Sequence, residues 1–474
     1  MNDDLPEGWA WAKLGQLLEF KYGKSLPKEE RSGVGQVDVY GSNGVVGRHD
    51  VALSDGTTII VGRKGSVGAV HVSASSCWPI DTTYYIDGLG TQWPSKFWAY
   101  CLRELRLGQQ EKSSAIPGIS RDDIYAADVP VPPLAEQRRM ARRIETLEKQ
   151  IARSRTRLAT ISTLLRRLRQ SVLAAACSGR LTADWRAERG REDGDNPVGW
   201  KQVCVSDVIE NLKYGTSKKC EYAKRGVPVL RIPNVANGQI SHDDLKYAEL
   251  PPAELKQLRL EPGDVLVIRS NGSVSLVGRS ALVGEEERGF AYAGYLIRLR
   301  PLNTAVLPEF LNLVLGSYDV RLQVELEARS TSGVNNINSD ELRALEFMLP
   351  PIEEQREIVR RFHALFKRAD RIEAELNTAQ AKVEKLMPSL LARAFRGELV
   401  PTEAELAEKE GRDYESGDML VSRLMAARSE KPQIASGRGL NQIGHRKTRT
   451  SGKRRSRPGR RPPSSSDSTR TTDY

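Results

Sequence analysis

The chain has 474 residues, 39% of them hydrophobic and 28% charged, with a net charge of +11. That is long enough for two or three domains with real cores, and no apolar run approaches the roughly 20 residues that span a bilayer. The charge is concentrated at one end: from Arg428 to Tyr474 there are 13 Lys/Arg against 3 Asp/Glu, so the body is nearly neutral and can hold a polyanion only through local patches.

The chain opens Met1-Asn2-Asp3-Asp4, which is acidic and unlike the basic start of a signal peptide. A first globular unit then begins at Leu5-Pro6-Glu7-Gly8-Trp9, followed by a short amphipathic segment and Tyr22-Gly23. Its middle is rich in turns: Gly41-Ser42-Asn43-Gly44 precedes Val45-Val46-Gly47-Arg48, and the strand-like Thr57–Val61 runs into Gly62-Arg63-Lys64-Gly65. Trp93–Leu107 reads as a helix. Pro130, Pro132 and Pro133 then stop the preceding structure and suit the first turn of a new helix.

The stretch that follows occurs twice. Pro132-Pro133-Leu134-Ala135-Glu136-Gln137-Arg138 and Cys177-Ser178-Gly179-Arg180-Leu181 reappear as Pro350-Pro351-Ile352-Glu353-Glu354-Gln355-Arg356 and Phe395-Arg396-Gly397-Glu398-Leu399, each at an offset of 218. Both copies carry an apolar stripe at heptad spacing: Ile144, Leu147, Ile151, Leu158, Ile161, Leu165, Leu168 and Val172, then Phe362, Leu365, Ala369, Ile372, Leu376, Ala379, Val383, Leu386 and Leu390. Such a narrow stripe predicts a coiled-coil seam. The first helix is expected over Leu134–Ala176, about 65 Å at 1.5 Å per residue, and the second over Ile352–Ala394, with a kink or break near Pro388.

The globular part repeats as well. Asn196-Pro197-Val198-Gly199-Trp200 and Tyr214-Gly215 match the first start, and Ile119–Ile124 lies 218 residues before Ile337–Leu342. Between these landmarks the two copies diverge. The second copy has strand-like Val227–Ile232 and Asp264–Arg269, the loop Ser270–Ser273, and a helix expected over Pro308–Leu326. The expected layout is therefore 1–131 globular, 132–181 helix, 182–196 linker, 197–349 globular, 350–399 helix, 400–428 a short helical segment carrying Met419, Leu420, Leu424 and Met425, and 429–474 a disordered basic tail. The fold class is mixed α/β (α+β), with a pseudo-twofold internal repeat and two long helices that pair.

Catalytic patterns are missing. Gly62-Arg63-Lys64-Gly65-Ser66-Val67-Gly68 lacks the Gly-Lys-Ser/Thr step of a phosphate-binding loop, and Glu254-Leu255-Lys256 has no partner Asp to complete a nuclease motif. The five histidines are scattered, so no metal site is expected, and the five cysteines have no regular spacing, which suits reduced thiols in a cytoplasm. What the chain does offer is polar and basic loop residues: Ser42, Asn43, Arg48, Arg63, Lys64 and Ser66 in the first unit, and Arg231, Asn234, Arg269, Asn271, Ser273 and Arg279 in the second. Arg and Asn can read base edges, while Lys and Ser more often hold phosphates. The same residues also suit turns and solvated surface.

These motifs resemble the specificity subunit of type I restriction-modification systems. The doubled Pro-Pro-x-x-Glu-Gln-Arg and Gly-x-Leu, the two Pro-x-Gly-Trp starts, Tyr40-Gly41-Ser42-Asn43-Gly44 and Gly62-Arg63-Lys64-Gly65 carry the likeness, which covers about residues 5–425. The resemblance implies two target-recognition domains held apart by an antiparallel coiled coil, each reading one half of a bipartite, asymmetric site in double-stranded DNA. It implies a non-catalytic chain that docks two adenine-N6 methyltransferase subunits and, through them, ATP-dependent restriction/translocase subunits. S-adenosylmethionine, ATP and magnesium then belong to those partners, with no cofactor in this chain and no membrane. Arg138, Arg142, Arg143, Arg356, Arg360 and Arg361 are the candidate methyltransferase contacts, although such charges also suit ordinary solvated helix flanks. The alternative is a coiled-coil scaffold that binds nucleic acid without sequence preference through its basic tail.

Overall fold

The computed structural model describes residues 5–31, 34–90, 93–109, 118–191, 197–327, 329–331 and 334–429. The basic tail expected over 429–474 lies outside them, apart from Ser429. Both long helices form, over Leu134–Cys177 and Ile352–Ala394, each behind its Pro-Pro pair. They run antiparallel. Met140, Ala141 and Ile144 near the start of the first share a core with Leu391 and Ala394 at the end of the second. Val172 and Ala176 at the other end share a core with Ile358 and Phe362.

Each end of this pair carries one globular unit built on one topology. In the first unit a four-stranded antiparallel sheet is ordered Lys21–Tyr22, Thr83–Ile86, Thr58–Gly62, Val70–Ser73. In the second the order is Ile209–Tyr214, Leu296–Pro301, Val265–Ile268, Ser280–Leu282. A three-stranded sheet accompanies each, with one antiparallel and one parallel pairing about Val37–Gly41 or Val227–Leu230. The central strands Thr58–Gly62 and Val265–Ile268 are buried along their whole length, which explains their unbroken aliphatic runs. In the second unit Val265 and Val267 face the core shared with the long helices, while Leu266 and Ile268 face a core formed with the smaller sheet.

The predicted seam is only partly internal. Ile144, Leu165, Val172, Phe362, Ala369 and Leu376 are buried, and Leu147, Ile151, Leu158, Leu365 and Val383 are half-buried. Ile161, Leu168, Ile372 and Leu386 are exposed at 41%, 48%, 45% and 47%. A two-helix pair has one contact face, and a strict heptad stripe drifts off it on a straight helix by ~20° per repeat. Polar residues also hold part of that face: Arg169 lies over the Phe366 ring and bonds Asp370 and Glu373, so its neighbour Leu168 and Glu373's neighbour Ile372 point outward.

Two further expectations need correction. Of the kink or break expected near Pro388, the break does not occur: the second long helix continues through Pro388 to Ala394, and Leu391 and Ala394, buried on the first unit, hold the turns beyond it. The helix expected over Pro308–Leu326 is two helices, Pro308–Leu315 and Tyr318–Glu327, separated at Gly316 and Ser317. Residues 400–428 form two short helices, Glu403–Glu410 and Gly417–Ser429, and Leu420 and Leu424 of the latter are buried in the first unit's core.

Candidate nucleic-acid interface

The doubled motifs are joints between unit and helix. In the first unit the Trp9 indole N–H donates to Glu136 Oε1 at 3.0 Å, and the Glu403 backbone N–H donates to Glu136 Oε2 at 2.9 Å. In the second, the Trp200 indole donates to Glu354 Oε2 at 3.0 Å, and Thr182 Oγ1 and Arg186 Nη1 both bond Glu354 Oε1. Gln137 and Gln355 each donate to the carbonyl of the leading proline, Pro132 or Pro350, at 2.8 Å. All four Glu/Gln side chains are buried. The Pro-x-Gly-Trp start and the Pro-Pro-x-x-Glu-Gln helix start are thus two halves of one joint, made twice.

The joints also cross between copies. Gly179, at φ +78°, lies against Pro197, and Gly397, at φ +79°, lies against Pro6. Each helix therefore ends on the start of the other unit. The segment after each helix completes a joint: Arg186 pairs with Glu354, and Glu403 bonds Glu136 while Arg139 and Arg412 pair with Glu403. Burial pushes the Glu136 carboxyl up to about 7. Burial also acts to raise Glu403, but Arg139 and Arg412 hold it below the usual carboxylate range.

Outward from these joints, the first unit gathers five of its six predicted loop residues. Ser42 and Asn43 form the turn of the hairpin Val37–Gly41/Gly44–His49. That turn sits beside the loop leaving the central strand: a Cβ at Gly62 would meet both Ser42 and the Ser66 carbonyl, and one at Gly65 would meet the Ser42 hydroxyl. Arg63 and Lys64 project from the same loop. Arg63 bonds the Asp81 carbonyl at 2.8 Å and lies 5.7 and 5.9 Å from the Tyr22 and Tyr84 rings. Lys64 is exposed and bridges to Gly118. Arg48 stands apart, paired with Asp38 near the far end of the hairpin.

The second unit's set is dispersed. Asn234 is buried, accepting from the Arg231 N–H and donating to the Ser241 and Asp243 carbonyls, so it is a loop clamp with no reach to a ligand. Arg231 is tied to Asp244, and Arg279 bonds the Ser275 and Ala236 carbonyls. Asn271 accepts from the Ser273 N–H, and the Ser273 hydroxyl meets that of Ser275. Arg269 stays available: its guanidinium lies 4.6 Å from the Tyr214 ring, and its Nε bonds Asn336.

The neighbouring residues missed from sequence are Tyr22 and Tyr214, at the ends of strands, and Arg121, at the start of a helix. Arg121 lies 5.2 Å from the Tyr22 ring, and a cleft is lined by Tyr22, Arg63, Lys64, Tyr84, Ile119 and Arg121. The doubled Tyr-Gly was their signal. His242, predicted to stand alone, lies with Glu286 and Glu287, but Glu287 already accepts from the Gly284 N–H and bonds His242 directly. Of the helix arginines, Arg138, Arg142, Arg143 and Arg356 are exposed. Arg360 is exposed but paired to Glu357. Arg361 is spent on the second joint, bonding Asp184, Glu357 and the Leu181 carbonyl.

Two topologically equal units, each presenting polar loops at the end of its central strand and each locked to one end of an antiparallel helical rod, define a tandem recognition protein with a built-in spacer. The type I restriction modification DNA specificity domain model matches residues 6–163 and 197–380. The chain belongs to that family. It is 31% identical over 425 residues to the EcoKI specificity subunit of Escherichia coli K12, covering 83% of this chain and 90% of that one. It is 29% identical to the StySPI specificity subunit of Salmonella potsdam, with the same coverage. A solved chain from work on assembly and conformational transition of the type I R-M system covers 84% of this chain and all of its own length, at TM-score 0.63 and 20% identity. The HsdS subunit of Thermoanaerobacter tengcongensis gives TM-score 0.51 at 19% identity, with 84% of this chain covered and the whole of that one. No helix among the described residues is long and apolar enough to cross a membrane.

Proposed function

We propose that each globular unit, over 1–131 and 197–349, binds one half of a bipartite site in double-stranded DNA, and that the helical rod sets the distance between the halves. The observation that carries this reading is the doubled joint, which fixes each unit to one end of one antiparallel rod. From Ile144 to Val172, residues in the two opposite cores, the first helix rises about 42 Å at 1.5 Å per residue. That is a little more than the ~34 Å of one duplex turn, the natural separation for two sites read from one face. The loop cleft about Ser42, Asn43, Arg63, Lys64 and Ser66 faces one half-site, and the Arg269 region faces the other.

In the same reading the rod docks two methyltransferase subunits, which bring S-adenosylmethionine and recruit the ATP-dependent restriction subunits. Exposed Arg142, Arg143 and Arg356 support this, as do the apolar Ile161, Leu164, Leu168 and Ile372, which the helix pair leaves in solvent. Arg361 drops out of the contact set because the joint uses it. The scaffold alternative rests on the basic tail, and the joints and loop ends of the body give it no support.

The test removes one heptad from both helices together and maps methylated sites by sequencing. Seven residues are about 10.5 Å of helix, up to about three base pairs of 3.4 Å each. The spacer should shorten by up to that amount with both half-sites unchanged. An unaltered spacer rules out the rod as the ruler.

A further inference from the structure

The two units must differ wherever they read different bases. The parts of their loop ends that are the same therefore call for a ligand feature common to both half-sites. Outside the joints, one such part exists beside the loops. The central strands end at Gly62 and Ile268, and Arg63 and Arg269 are the residues that follow. The next residue pairs across to a second segment in each case, Lys64 with Gly118 and Ser270 with Asn336. The residue after that partner closes the frame: the Ile119 N–H donates to the Arg63 carbonyl at 3.2 Å, and the Ile337 N–H donates to the Arg269 carbonyl at 2.9 Å. Ser120 and Asn338 then cap equivalent short helices, Arg121–Ala126 and Ser339–Ala344. In both frames the arginine lies over the tyrosine of the doubled Tyr-Gly, Tyr22 at 5.7 Å and Tyr214 at 4.6 Å.

Within this frame, four matched positions differ: Lys64 against Ser270, Gly118 against Asn336, Ser120 against Asn338, and Arg121 against Ser339. The arginine and its ring do not. Neither Arg63 nor Arg269 has a carboxylate within ion-pair distance among the described residues, whereas nearby Arg231 and Arg300 are matched to Asp244 and Asp264. Asp122 lines the first cleft but pairs with neither Arg63 nor Arg121. A half-buried guanidinium, oriented by a ring and one polar bond and left without an anion, suits a phosphate oxygen pair, which it can take with two N–H groups. Phosphate contacts position a protein on a duplex without carrying sequence information.

We infer that Tyr22–Arg63 and Tyr214–Arg269 are matched backbone anchors, each gripping a DNA phosphate at the equivalent place in its half-site whatever the bases. This rests on the half-site reading above. The anchors set the register of each unit, and the differing residues around them are left to read bases.

The test uses the chain assembled with its methyltransferase subunits. Binding is measured between 50 and 200 mM salt on the cognate duplex and on one with both half-sites scrambled, and methylated sites are mapped by sequencing. Arg63→Gln and Arg269→Gln should each weaken both duplexes by the same factor and leave the methylated motif unchanged. Each should also cut the salt dependence by one phosphate, so that the affinity lost across that fourfold salt range shrinks by about threefold. Tyr22→Ala, which removes a ring already 53% exposed, should give a smaller uniform loss in a chain that folds. A loss confined to the cognate duplex, or a relaxed base in the motif, overturns the anchor in favour of base reading. An unchanged salt slope overturns it outright while leaving the half-site reading intact. A wild-type complex that methylates without sequence preference instead brings down the half-site reading and the anchor with it.

Discussion

Replacing Glu354 with alanine should loosen the second unit from the rod far more than removing its neutral indole donor, Trp200. Glu354 is fully buried and receives Trp200, Thr182 and Arg186, and Arg186 is itself only 1% exposed. Without the carboxylate a buried guanidinium loses its counter-charge, which costs about 3–5 kcal/mol. Trp200→Phe removes one hydrogen bond and should cost only ~1 kcal/mol. A chain of two units need not unfold in one step, so the assay is peptide-resolved hydrogen exchange over 182–191 and around Trp200. At 1.36 kcal/mol per decade, Glu354→Ala should speed exchange there by roughly two to three and a half powers of ten, and Trp200→Phe by about one. Replacing both Glu354 and Arg186 with methionine should recover part of the loss, because an apolar pair leaves no buried charge. If Glu354→Ala exchanges no faster than Trp200→Phe, the ion pair is not what holds the joint.

The first joint should instead respond to pH. Glu136 is pushed up from 4.5 to about 7, so on raising pH the unfolded chain gives up this proton before the folded one. Stability from this group is then complete below about 4.5 and drains away toward 7, by on the order of 3 kcal/mol; Glu136→Gln should flatten that fall in melts of the first unit between pH 5 and 7.5, and an equally steep fall in the variant counts against the assignment. Gly397→Ala forces a side chain onto φ +79° and to within 2.4 Å of Pro6 Cγ, so it should cost more than the ~1–2 kcal/mol of a left-handed alanine, read as earlier release of residues 400–429 in limited proteolysis; wild-type resistance speaks against the joint. Asn234→Ala should destabilise the loop around Ser241–Asp244 by ~1–3 kcal/mol and leave the methylated motif as it was, whereas a changed motif returns Asn234 to the base-reading set.

The architecture was legible because it is written twice at one offset, and an equal-length repeat across two helices leaves few ways to pair them. The joints were half legible. Their residues stood out as motifs, but Trp9 and Glu136 are 127 positions apart and Trp200 and Glu354 are 154, so nothing local shows that they touch. The loop ends were least legible. Arg231 and Asn234 look like Arg269 and Asn271 on paper; only the return of the chain at Ser241–Asp244 consumes the first two. Tyr22 and Tyr214 were visible as a repeat, but they lie 192 apart while Arg63 and Arg269 lie 206 apart. The insertions between them hid the stacking.

The same contrast separates what must be rigid from what must vary. A ruler is only as good as its end fittings: a 42 Å rod that let its units swing would tolerate many spacers. The buried Glu/Gln pairs sit where a swing would occur, at the first turn of each helix, and each is completed by the segment that leaves the other helix. The loop ends face the opposite demand. Their frames repeat strand for strand, while Lys64, Gly118, Ser120 and Arg121 give way to Ser270, Asn336, Asn338 and Ser339. On the proposed half-site reading a new half-site can arise by exchanging residues of these frames without touching a joint, since no residue of the differing set takes part in the hydrogen bonds that hold Glu136 or Glu354. On that reading, spacing and base identity are held by separate groups of residues, which allows either to change while the other stays fixed.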